Sequence, residues 1–338
     1  MAAKKKVAEE TTGGAFSPGI ARLLEKHPGI MRLGEVDLRV RKVPTGIWTL
    51  DETLSGGIPM GRITEIHGSG GAGKTSLACL IAASMQKAYP DKVVLYIDAE
   101  SALDDTLAMD IYGMDRKRTV VQRPDLTISA EELVDSMVDF AMNPDCSCVI
   151  LDSVAGLVTE GEMTRKAGDI LVAPIATLLG RNIKKLSSRQ DPEAAAVILL
   201  NQQRHAIGNA GITTPGGSAV EFYPSLRLRL RRADPIKNGE AEVGFTCRCQ
   251  VIKARYSRNR LVTSWAIIYG DEGISTLRAI VTVAMTQGLI KQAGAWFSIE
   301  GREGAKWQGM EKMLAALREN EELYNFVKDN LQQEYASE

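Results

Sequence analysis

The sequence predicts an α/β protein built on a mainly parallel, twisted sheet, and three observations carry that prediction. Short apolar runs at 63–66, 93–97, 148–151 and 194–200 alternate with stretches of helical periodicity such as 130–142, the pattern of strand–helix–strand units. The later runs are apolar throughout rather than alternating, so they read as strands covered by helices on both faces. Each run ends in a polar or glycine-rich segment, at the sheet edge where open α/β proteins bind ligands.

The first run leads into Gly68-Ser69-Gly70-Gly71-Ala72-Gly73-Lys74-Thr75, which matches G-x-x-x-x-G-K-[ST]. Glycines let the backbone curl until several N–H groups converge on one anion. Lys74 supplies a mobile positive charge for outer phosphates, and Thr75 a hydroxyl for a magnesium ion. Ser76 opens a helix of small and apolar residues whose positive end faces the same phosphates. The flanking strand and helix are the context this loop requires.

Composition sets the outer bounds. The 338 residues are 44% hydrophobic and 25% charged, enough for one large or two moderate globular domains. A net charge of −1 leaves any nucleic-acid surface to local patches. Five cysteines, four of them in C-x-C pairs within strand-like runs, read as reduced core thiols, since that spacing is not a zinc spacing. No apolar run approaches the roughly 18 residues of a membrane span, and no apolar segment follows Lys4-Lys5-Lys6, so a cytoplasmic protein without membrane contact is expected.

In chain order, residues 1–15 read as a disordered polar stretch and 18–27 as a short helix with Ile20, Leu23 and Leu24 on one face. A short helix closed by Gly56-Gly57 delivers the chain to the glycine loop. The run 93–97 ends at Asp98-Ala99-Glu100, and 148–151 ends at Asp152, the form of a Walker B magnesium aspartate. The run 194–200 ends at Asn201-Gln202. From 225 onward, Leu226-Arg227-Leu228-Arg229-Leu230-Arg231 alternates strictly, which predicts one leucine face and one arginine face in an antiparallel extension of the sheet. Residues 275–338 return to helical spacing. The expected organisation is 1–32 as a disordered stretch and oligomerisation helix, 33–274 as the core, and 275–338 as a small C-terminal α/β domain.

Lys74, Thr75, Glu100, Asp152 and Gln202 thus fall at strand ends of one sheet. Glu100 is placed to orient and deprotonate an attacking water, Asp152 to hold magnesium, and Gln202 to sense a terminal phosphate. At this point the chain resembles the RecA recombinase family. The matching words are 29–35, 56–62, the glycine loop, Ile97-Asp98-Ala99-Glu100, Leu151-Asp152-Ser153-Val154-Ala155, Asn201-Gln202, Thr213-Thr214-Pro215-Gly216-Gly217, Phe222-Tyr223 and Gly294-Ala295-Trp296. The resemblance implies a RecA-like P-loop NTPase core that uses ATP and Mg2+. It further implies a helical filament on single-stranded DNA, pairing with double-stranded DNA, and strand exchange in DNA repair and the SOS response. By the same resemblance Asp104 joins the nucleotide contacts, and Lys253 and Arg255 form a cationic pair inserted into a neighbour's ATP site. Arg165 and Lys166 fall in a first DNA loop. Arg204, Ile207, Gly208, Thr213, Thr214, Gly216 and Gly217 fall in a second, where amides, hydroxyls and a guanidinium suit sequence-independent phosphate contacts and Ile207 a wedge between bases.

The chain departs from the family at several points. Leu107 stands where a tyrosine meets the adenine, Glu221 stands beside Phe222 where a lysine is common, and the second loop is shorter and lacks an aromatic. That is the pattern of a divergent member of the bacterial family, of the kind a phage carries. A second class of function stays compatible with these residues: an ATP-gated DNA-binding filament or mediator with little hydrolysis and no strand exchange.

Overall fold

The computed structural model describes residues 17–27, 30, 39–125, 127–164, 174–188, 191, 193–205 and 212–335. The chain divides into two compact units, Met1–Arg39 and Val40–Glu338. In the first, the helix Pro18–Lys26 opens on a proline, whose fixed φ suits a first turn.

The second unit is organised by a nine-stranded sheet. Its strands are β1 (Ile63–Gly68), β2 (Val93–Asp98), β3 (Thr119–Gln122), β4 (Cys146–Asp152), β5 (Ala196–Gln202), β6 (Leu226–Asn238), β7 (Ala241–Ala254), β8 (Val262–Ile268) and β9 (Gly273–Ser275). In space they run β9-β8-β7-β6-β1-β5-β4-β2-β3. From β6 to β3 every neighbouring pair is parallel; β7, β8 and β9 add antiparallel strands beyond β6. This is the mainly parallel core with an antiparallel extension that the sequence predicts.

Side-chain alternation divides the apolar runs between two cores. Val94 and Tyr96 of β2, Cys148 and Ile150 of β4, and Ile198 and Leu200 of β5 face α1 (Lys74–Ala88), which buries Leu77, Ala78, Ile81 and Met85. Leu95 and Ile97, Val149 and Leu151, and Val197 and Leu199 form the other core with α2 (Ala130–Met142) and α3 (Pro174–Ser187). Covering both faces removes any pressure for polar alternation, which is why these runs read as unbroken apolar stretches. On β6, Leu226, Leu228 and Leu230 join the α1 core, while Arg227, Arg229 and Arg231 point to the opposite face.

The helical spacing after 275 is interrupted by a three-stranded antiparallel sheet, Ile290–Ala293, Trp296–Ile299 and Lys306–Gln308. Strands of three or four residues are too short to show a period of two, and Gly294 and Gly301, at φ 61° and 76°, provide the turns between them. With the flanking helices this sheet encloses a third core around Val281, Phe297, Leu314 and Val327. All five cysteines are buried free thiols. Among the described residues, no helix is long and apolar enough to cross a membrane.

Candidate functional site

The glycine loop leaves the C-terminal end of β1 and enters α1 through left-handed backbone at Gly71 and Gly73, φ 68° and 89°. A Cβ at Gly73 would lie 2.4 Å from Ile267 Cδ1, so the tip of that side chain would have to shift. Lys74 folds back, its ammonium donating to the carbonyls of Gly68 at 3.1 Å and Ser69 at 2.8 Å. Burial pulls its pKa down, opposed by the negative charges of Asp152 and Glu100.

Beneath the loop, Thr75 Oγ1 donates to Asp152 Oδ2 at 2.8 Å. The Tyr96 hydroxyl donates to the same oxygen at 2.7 Å. Burial raises the Asp152 pKa, and these two hydroxyls oppose it. Across the opening, Glu100 Oε1 accepts from Gln202 Nε2 at 2.9 Å and from Ser153 Oγ. The turn bearing Glu100 is braced by the buried Asp98, which accepts from Ala102 N–H at 2.9 Å, Leu103 N–H at 3.0 Å and Arg123 Nε at 2.9 Å. The loop 70–76, Glu100, Asp152, Ser153 and Gln202 line one cavity of about 300 Å³, walled on one side by Phe245 and Ile267.

Parallel strands produce this convergence. β1, β5, β4 and β2 end at one edge of the sheet, and Gly68, Gln202, Asp152 and Glu100 lie at or just beyond those ends. The residues fit a magnesium nucleotide. A glycine loop at a helix N-terminus and a lysine suit phosphates, and the Thr75 hydroxyl and Asp152 carboxylate lie side by side, as a hard cation requires.

A family model described as the RecA N-terminal domain matches residues 20–275. The chain belongs to the RecA family. Protein RecA of Gloeobacter violaceus is 38% identical over 295 residues, spanning 86% of this chain and 78% of that protein. Protein RecA of Picosynechococcus sp. is 36% identical over 304 residues, 88% of this chain and 84% of that protein. Protein RecA of Chlorobaculum parvum is 35% identical over 317 residues, 91% and 89%. The likeness to RecA-family proteins thus runs through most of the chain rather than resting on one motif.

Other residues singled out from sequence lie apart from the cavity. Asp104 is exposed and accepts from Leu107 N–H at 3.0 Å, at the start of the helical turn Thr106–Ile111. Lys253 and Arg255 lie at the far end of β7, where Ala254 pairs with Leu226 and Leu226 with Thr64. The phosphate loop follows Gly68, four residues along β1 from Thr64, roughly 13 Å away at the rise of a strand. Lys253 Nζ donates to the Phe222 carbonyl, Arg255 is exposed, and the Phe222 ring is 68% exposed. Arg165, Lys166, Ile207 and Gly208 lie outside the described residues. Arg204 and Thr213 pair in a two-stranded ribbon, Arg204–His205 with Ile212–Thr213. Thr214 is buried, and its hydroxyl has no partner among the described residues. Gly216 is packed so closely that a Cβ would lie 2.7 Å from Val220 Cγ2, while Gly217 caps the helix Ser218–Phe222.

Sequence reasoning passed over three groups that structure brings to the site. Ser153 follows Asp152 and reaches Glu100. Tyr96 reaches Asp152 from the middle of an apolar run. Asn201 donates to Glu65 Oε1 at 3.1 Å and to the Pro215 carbonyl at 2.9 Å, tying the end of the second loop to the phosphate-loop strand. Only Ser153 carried a usable signal, its place beside Asp152; the other two depend on which strands are neighbours.

Proposed function

We propose that this protein is a DNA-dependent ATPase that assembles into a filament on single-stranded DNA and promotes pairing and strand exchange with a homologous duplex, in the cytoplasm, in DNA repair. The observation that carries the reading is one cavity holding the Thr75–Asp152 pair on its floor and the Glu100–Gln202 pair across its mouth. In this reading the amides of 70–75 and Lys74 hold the ATP phosphates, and Thr75 and Asp152 hold Mg2+. The ion, when bound, neutralises phosphate charge. Glu100 orients a water and takes its proton, and Ser153 and Gln202 fix the carboxylate that does so. Gln202 ends its strand just before the second DNA loop, 203–217, so contact with a terminal phosphate at its amide is felt at the DNA surface.

The position of Lys253 and Arg255 supports action on a neighbouring subunit. A side chain about 7 Å long does not span the roughly 13 Å of β1 that separates them from their own phosphate loop. We keep the division 1–32, 33–274 and 275–338, with the separate core around Phe297 as support for the last part. The proposed DNA contacts are Arg165 and Lys166 and, in the 203–217 loop, Arg204, Ile207, Gly208, Thr213, Thr214, Gly216 and Gly217.

The test is ATP hydrolysis with and without single-stranded DNA, with strand exchange run on the same preparation. Lys74→Ala should lose nucleotide-dependent DNA binding. Glu100→Gln should bind ATP and assemble, with hydrolysis slowed by ~10²–10⁴-fold. Wild-type assembly on ATP with no exchange and negligible turnover would establish the mediator instead.

A further inference from the structure

Tyr96 has no part in the reading above. It sits in the middle of β2, fully buried in the α1 core, where a phenylalanine ring would fill the space without a polar atom to satisfy. On the paired strand it lies opposite Ile150, and Asp98 lies opposite Asp152, so Tyr96 reaches Asp152 diagonally, two residues up the neighbouring strand. Its hydroxyl and that of Thr75 converge on one carboxylate oxygen, Oδ2, at 2.7 and 2.8 Å.

We propose that Tyr96 is a positioning residue for the magnesium site, holding the Asp152 carboxylate in the orientation that meets the cation. The proposal rests on the reading of Thr75 and Asp152 as the metal-binding pair. A carboxylate gripped at one oxygen by two donors cannot rotate about its Cβ–Cγ bond without breaking both bonds. Oδ1 is thereby left to the cation or to a water bound to it. Thr75 must also offer its lone pairs to the metal, and can do so while its proton stays on Oδ2. Tyr96 faces no such demand from the metal: the buried Cys79 thiol also lies against its hydroxyl, and can donate to the phenol oxygen while the phenol's own proton stays on Oδ2. Groups that orient metal ligands from outside in this way typically contribute 10–100-fold to metal affinity.

The experiment uses the full chain carrying Tyr96→Phe, which keeps the ring and its packing. Binding of a fluorescent ATP analogue is titrated against Mg2+, and Mn2+ binding in the presence of ATP is followed by electron paramagnetic resonance. The half-saturating metal concentration should rise ~10–100-fold, while analogue affinity in EDTA and the melting temperature stay near wild type. An unchanged metal titration would overturn the proposal, leaving Tyr96 as a core residue that found a convenient acceptor. Asp152→Asn separates the two levels. If it shifts the metal titration and Tyr96→Phe does not, only the role of Tyr96 fails. If Asp152→Asn leaves the titration unmoved, the metal-site reading fails and the proposal with it. In the double variant Tyr96→Phe should add little to Asp152→Asn, because its effect passes through that carboxylate; a full additional shift would overturn the proposal.

Discussion

His67 stands immediately before the first glycine of the phosphate loop and is 5% exposed. Its Nδ1 lies 3.1 Å from Gln203 Nε2, and Nε2 is buried with no partner among the described residues. Burial first, then the positive charges of Arg227, Arg229 and Lys74, push its pKa down from 6.5 to about 4. The folded protein therefore holds His67 neutral while the unfolded chain takes up a proton below about 6.5. Between those values the unfolded state binds more protons, so this residue's contribution to stability is lost as pH falls from about 6.5 towards 4. Between pH 7 and 4.5, wild type should lose about 2–3 kcal/mol more unfolding free energy than His67→Gln. Denaturant titrations at several pH values check this, and a difference between the two proteins that does not change with pH would refute it. None of this is visible in the residue's sequence neighbours, because the desolvation and two of the three charges come from strands distant in sequence.

Single elements divide into those that carry their own instructions and those that do not. Helix α2 does: Ser129 accepts from Glu132 N–H, and Glu132 reaches back to the Ser129 N–H, a capping box written in four consecutive residues. The hairpin between β7 and β8 does not. Its first residues are held by Lys42, whose ammonium donates to Leu54 O at 2.7 Å, Ser55 O at 3.1 Å and, 214 positions away in sequence, Tyr256 O at 2.7 Å. Arg62 Nε donates to the Tyr256 hydroxyl at 3.0 Å. Tyr256 adjoins Arg255, so the exposed cation stands on a backbone tethered at both ends of one residue. Lys42→Met keeps the aliphatic stem and removes the three bonds. It should lower unfolding free energy by about 1–3 kcal/mol, and the melting temperature with it. Unaltered thermal unfolding would mean that water replaces the ammonium at no cost.

At the scale of the whole molecule, the sheet puts phosphate chemistry at one edge and Lys253 with Arg255 towards the other. On the proposed reading, in which these cations act on a neighbour's ATP, the site is complete only when copies stack, and hydrolysis should rise with DNA-driven assembly. Arg255→Ala should lose most of that rise while its own phosphate loop still binds nucleotide. Mixing Arg255→Ala with Glu100→Gln should restore part of the activity, since intact half-sites meet at some interfaces. No recovery, with co-assembly demonstrated, would place the cations' action within one subunit or nowhere. DNA binding itself should weaken steeply with salt and depend little on base sequence, as phosphate contacts dictate; a flat salt response would contradict it.

Local chemistry was decided in the sequence. Residues 68–75 carry the phosphate-loop pattern because glycine takes the left-handed backbone found at 71 and 73 and the helix that follows opens at Lys74. The two-sided apolar runs specify a parallel sheet because helices must cover both faces. The acids and amides at 100, 152 and 202 were legible as strand-end groups for the same reason. The small sheet within 290–308 was not, since its strands are too short for a period to emerge. Nor was the pairing of Tyr96 with Asp152, of Ser153 and Gln202 with Glu100, or of Lys42 with Tyr256. Such contacts depend on strand order and register, which are settled by packing β4 between β2 and β5 and by folding β7 back along β6. Tertiary structure alone decided that Lys253 and Arg255 lie away from their own phosphate loop. An antiparallel return reverses the direction of the chain, and direction is what assigns a residue to one edge of a sheet or the other.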